Sequence, residues 1–190
     1  MRVLKGMALA AAVLLLAAAS ASAVRLVNPD GSIAQPYQHW ADISHVRTAD
    51  KSVTLTPDMS PCPIAAGVKA CVALDGNTIH MTAPQCGFKG RRAGRLCRYA
   101  TMHELGHVFD FQMPAWKRER FSKLFHIPGG WLDPLEFSGF VPRELFADIY
   151  ALCALDDKDL EVPGRWMPAP SWRQYFRACH LISIPDYGPR

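Results

Sequence analysis

Two histidines stand four residues apart, with a glutamate directly after the first: His103, Glu104 and His107, in "HELGH". On a helix, positions four apart lie one above the other. Both imidazoles then offer a nitrogen to one metal ion at about 2.0–2.1 Å. Glu104 is turned roughly a quarter turn away, beside the metal rather than on it, where a general base for water belongs. The chain has 7 histidines and 5 glutamates among 190 residues. Random order would produce the motif about 0.007 times. Chance is therefore a weak explanation, and the plain alternative is a solvated helix face. Gly106 costs about 1 kcal/mol in a helix interior relative to alanine. That cost is acceptable where something must approach closely.

A catalytic zinc needs a third protein ligand and a fourth position for water. "PRELFADIYAL", residues 142–152, offers two carboxylates four apart, Glu144 and Asp148. Both project from one face of a second helix. Ala147 and Ala151 beside them are small enough for close packing on the histidine-bearing helix. Glu144 has the longer side chain and is the expected ligand. Asp148 is expected to hold a ligand histidine through its free ring nitrogen, fixing tautomer and orientation. Alone, Glu144 would read only as an acid favoured at a helix N-terminus. Asp110 falls on the histidine face but further along the axis, so a supporting role behind the ligands is expected rather than ligation.

"HELGH" followed by Glu144 and Asp148 resembles the zincin metallopeptidases, of the glutamate-liganded kind called gluzincins. "ELFAD" and "HELGHVFD" are also similar to lethal-factor-like peptidase domains. The likeness covers roughly residues 72–155. Arg143 stands where thermolysin-like enzymes have Asn, and the gap from His107 to Glu144 is longer than theirs. The metzincin pattern of a nearby Gly and third His is absent from "VFDFQM". The resemblance implies a Zn2+ cofactor and hydrolysis of a peptide or protein. Zinc would polarise the scissile carbonyl and lower the pKa of its water to about 7, and Glu104 would carry the proton to the leaving amine. It also implies an edge strand before the active helix, antiparallel to bound substrate, and "TIHMT", residues 78–82, lies at that place in the chain. His80 on it reads as solvated. An oxyanion donor is required too. Tyr150, Tyr175, His126 and His180 are open candidates, although Tyr150 should face away from the metal.

Elements must position these groups. "SVTLT", residues 52–56, alternates as a strand does. "KACVAL" and "TIHMT", joined through "DGN", read as a hairpin. "NPDG" is a turn, "PYQHWADISHV" a short helix, and "SPCP" and "CGFKGRRAG" are loops. A helix is expected from about Arg95 to Gln112, with Leu96, Ala100, His103, His107 and Phe111 on one face. Pro114 then starts another helix, and "IPGG" ends it. "WLDPLEFSGFVP", residues 131–142, is a long connection. Further helices follow at "RELFADIYALCAL" and at "SWRQ", where Ser171 and Gln174 form a capping box. Strands first and helices after make an α+β class. The expected domain is zincin-like: a small N-terminal β-sheet, an active-site helix and C-terminal helices.

Arg2, Lys5, the apolar run "MALAAAVLLLAAA" and the small residues up to Ala23 read as a secretory signal peptide over residues 1–23. An uncleaved anchor would need a longer apolar run. The remaining residues, 24–190, suit one domain. Losing Arg2 and Lys5 lowers the formal charge from +4 to +2. That balance suggests no nucleic acid partner, and no other stretch suits a membrane. The exported chain is expected outside the cell or in its envelope. Six cysteines in such a chain suggest disulfides, with sequence neighbours paired: Cys62–Cys71, Cys86–Cys97 and Cys153–Cys179. No two stand two to four residues apart, the usual spacing of structural zinc sites. Lys89, Arg91, Arg92, Arg95 and Arg98 make a basic run, and "DDKDLE", residues 156–161, fits no EF-hand. Both read as solvated surface. The leading function is a zinc metallopeptidase. The alternative is an exported binding module on the same scaffold, with metal structural or absent.

Overall fold

The computed structural model describes residues 24–62, 69–82, 85–132, 142–156 and 170–186. The expected signal peptide, most of the connection after Leu132 and "DDKDLE" after Asp156 lie outside these residues.

Four short strands form one sheet: β1 (Arg25–Val27), β2 (Ser52–Thr56), β3 (Ala70–Val72) and β4 (Thr78–Met81), in the order β1-β2-β4-β3. β1, β2 and β4 run parallel, and β3 pairs antiparallel with β4, with Cys71 opposite His80. The hairpin is therefore as expected, but its second strand is not the edge. β4 returns inboard to pair with β2, which leaves β3 outermost among the described strands. Burial agrees, since Ile79, His80 and Met81 are all buried, as a central strand requires. His80 is thus not solvated, and its Nδ1 donates to the Asp58 carbonyl at 2.5 Å. β1 was not foreseen, because three residues are too few to show an alternation.

Helix α1 (Tyr37–Asp42) is short, and α2 (Ala93–Gln112) is the long helix that carries "HELGH". Pro114 ends α2 because the residue before a proline is pushed out of the helical region. Met113 accordingly has ψ 126°, and Pro114 precedes α3 (Ala115–Phe125). α3 ends at Phe125, and its cap His126, just before "IPGG", takes the left-handed conformation. α4 (Pro142–Leu155) and α5 (Trp172–Ser183) follow, and the capping box of Ser171 and Gln174 is present.

α4 lies along α2 more extensively than any other pair of elements. Gly106 is the reason the two approach so closely: a Cβ there would meet Ala147 Cα at 2.8 Å and Tyr150 Cβ at 3.0 Å. The rings of Phe109, Phe121, Trp131, Phe146 and Tyr150 pack at the same junction, with Phe121 and Phe146 centroids 5.2 Å apart. Phe109, Phe121 and Phe146 are buried, each contributing roughly 2–3 kcal/mol, while Trp131 is only partly covered. Phe111 lies one turn beyond His107 on α2, where its ring fills the space over Gly76 and stands 5.2 Å from the Arg143 guanidinium.

All three disulfides join the expected partners: Cys62–Cys71, Cys86–Cys97 and Cys153–Cys179. They suit an oxidising compartment. No helix among the described residues is long and apolar enough to cross a membrane. Lys117 of α3 is fully enclosed beneath the segment that ends at Asp186. Its ammonium donates to the carbonyls of Ile182 and Ile184 and to the carboxylate of Asp186, at 3.4, 2.6 and 2.9 Å. Arg47 also pairs with Asp186, at 2.8 Å.

Candidate metal centre

His103 and His107 stack one turn apart on α2, and their Nε2 atoms lie 3.2 Å from each other. Glu144, in the first turn of α4, brings Oε2 to 3.3 Å from each of them. Three donor atoms thus form a nearly equilateral triangle. Donors at 2.0–2.1 Å from a tetrahedral ion stand about 3.3–3.4 Å apart, so the triangle has the size such an ion requires. These three residues form a group able to hold a metal ion. The close α2–α4 contact at Gly106 sets the spacing, because Ala147 lies one turn beyond Glu144 on α4.

The side chains behind the triangle set its orientation. Asp148 Oδ1 accepts from His103 Nδ1 at 2.8 Å, as expected of a carboxylate that fixes the ring. The same oxygen accepts from the Tyr99 hydroxyl at 2.6 Å. Asp148 Oδ2 and His107 Nδ1 are buried and have no hydrogen-bond partner in the described structure.

Glu104 is nearly enclosed, and its Oε2 is also buried without a hydrogen-bond partner. Burial pushes its carboxyl above the ordinary value, against the lowering influence of His103 and His107. A carboxylate so placed is a stronger base than one in water. At His103, burial works against protonation, but the hydrogen bonds to Asp148 and Glu144 outweigh it and hold the imidazole well above its usual value. Burial would raise Glu144, yet the two histidines hold it well below the carboxylate range.

Asp110 does not join this group. It is buried and serves as a hub, accepting from Arg118 Nε at 3.1 Å and Trp131 Nε1 at 2.9 Å, with Arg143 Nε 3.8 Å away. Its position past His107 carries it beyond the histidines, as the helix rise dictates. Tyr150 does face elsewhere: its hydroxyl donates to the Arg47 carbonyl, and that of Tyr175 to the Leu152 carbonyl. His126 and His180 sit exposed on α3's end and on α5. Of the basic run, Lys89, Arg91, Arg92 and Arg95 are exposed, and Arg98 is half-buried.

Tyr99 escaped the sequence reading. Its one signal was position, four residues before His103 and so on the same face. Compared with protein-family models, curated proteins and solved structures, the chain matches none.

Proposed function

We propose that the protein is an exported zinc-dependent endopeptidase. The observation that carries the reading is the triangle of His103, His107 and Glu144 donors, with the enclosed carboxylate of Glu104 next to His103 in the chain. Two imidazole nitrogens and one carboxylate oxygen suit zinc, and three protein donors leave a fourth position open. Zinc bound there supplies Lewis acidity to water and to a carbonyl. Glu104 is the group to move the proton. Its raised pKa, and an Oε2 with no hydrogen-bond partner among the described residues, favour taking a proton from water and delivering it to the leaving nitrogen. Glu144 is more than a third exposed, which supports access of substrate to the group.

Among the described residues β3 is paired on one side only, and α2 packs against it; a strand edge of this kind binds extended peptide through main-chain hydrogen bonds, which supports a peptide as substrate.

The test joins metal analysis of the protein spanning residues 24–190 with a screen of quenched-fluorescence peptides. We expect one zinc per chain and cleavage, and Glu104→Gln should keep the zinc and lose hydrolysis. Cleavage by that variant at the wild-type rate would remove Glu104 from its role. Zinc without any cleavage would favour the binding-module alternative.

A further inference from the structure

We propose that Tyr99 is a positioning residue of the metal centre, acting through Asp148; the inference rests on the zinc reading above. The key is that one oxygen does two things. Asp148 Oδ1 accepts from the Tyr99 hydroxyl at 2.6 Å and from His103 Nδ1 at 2.8 Å. Both donors belong to α2, one turn apart, and the acceptor belongs to α4. Asp148 Oδ2 is buried with no hydrogen-bond partner among the described residues. The carboxylate is therefore aimed by its Oδ1 donors.

Without the hydroxyl, the carboxylate is free to rotate about its terminal torsion and share His103 between its two oxygens. With it, one oxygen is fixed, and His103 Nδ1–H has one direction to point. In the neutral, metal-binding form of His103 the proton is then held on Nδ1, and Nε2 keeps its lone pair towards His107 and Glu144. An O–H···O⁻ bond of this length is of the strong, charge-assisted kind. The tyrosine ring itself stands 6.3 Å from the His103 ring, centroid to centroid, so its hydroxyl works on the imidazole at one remove.

The experiment compares zinc affinity by chelator competition in wild type, Tyr99→Phe, Asp148→Ala and the double variant. The visible absorption spectrum of each protein loaded with cobalt(II) is recorded alongside. Tyr99→Phe keeps the ring and loses only the hydroxyl. We expect its zinc affinity to fall about 10-fold, the low end for groups that support a ligand from behind, with an altered cobalt spectrum. In the Asp148→Ala background the same change should have no further effect, because its route to the metal is gone. A packing role alone would lower the melting temperature of the metal-free protein and leave affinity and spectrum unchanged; that result overturns the proposal. Equal losses in both backgrounds would also overturn it, since the hydroxyl would then act by another path. If wild type takes up no zinc, the metal reading fails and this inference falls with it. If wild type binds and Tyr99→Phe binds equally well, only the tyrosine's role is lost.

Discussion

Glu144 and Asp148 hold the same imidazole from opposite sides, one near Nε2 and the other at Nδ1. They should therefore fail differently. Glu144→Ala removes a donor and should release most of the zinc. Asp148→Asn keeps all three donors and should weaken metal affinity about 10–100-fold. Zinc content after mild chelation distinguishes them, and the opposite order of loss would mean the roles are reversed. His103 also predicts a pH dependence. Its folded-state pKa is raised above 6.5 in the metal-free protein. The stability it lends that form is complete below the unfolded value and disappears as pH rises through the folded one. Zinc must displace that proton, so its affinity should climb by up to about tenfold per pH unit across neutrality. A flat profile between pH 6 and 8 would contradict this. At this scale the grouping of His103, His107 and Glu144, with Asp148 behind His103, was legible, because residue type and helical spacing alone bring them together. The Tyr99 hydroxyl was not, since a tyrosine on a helix face carries no sign of which acceptor it will meet. Nor was the Asp110 hub, whose partners Arg118 and Trp131 come from later segments.

Gly106 decides how α2 and α4, which carry the candidate ligands, meet. Alanine there would gain about 1 kcal/mol of helix propensity. Its Cβ, however, would meet backbone at 2.8 Å, and backbone cannot step aside as a flexible side chain does. We expect Gly106→Ala to destabilise by about 1–3 kcal/mol net, read by denaturant unfolding, and to weaken zinc binding as α4 is pushed outward. A stabilised variant with unchanged zinc affinity would show that the helices can part freely. The helices were legible from apolar spacing and from punctuation by Pro114, Pro142 and Ser171. The strands were legible singly, but their order was not. Alternation shows which face is buried and says nothing of which strand lies beside which, so β4 was placed at the edge where β3 stands.

Across the whole molecule, cross-links tie the layers. The chain-entropy relation assigns about 3.5 kcal/mol to the 26-residue separation of Cys153–Cys179 and about 2.6 kcal/mol to the 9-residue separation of Cys62–Cys71. Replacing the first pair by alanines should therefore cost more than replacing the second, measured by denaturant midpoint. Thiol titration of the unreduced, unfolded protein should find no free cysteine, and several reactive thiols would overturn the pairing. The enclosed ammonium of Lys117 has a different consequence, one of timing. Its carboxylate partner lies 69 residues downstream. Until the strand of chain beyond α5 arrives, seating α3 would strand a charge in an apolar site, which is costly. We therefore expect the segment beyond α5 to close over α3 late in folding. Opening it should be early in unfolding, so Asp186→Ala should speed unfolding while leaving the refolding rate nearly unchanged.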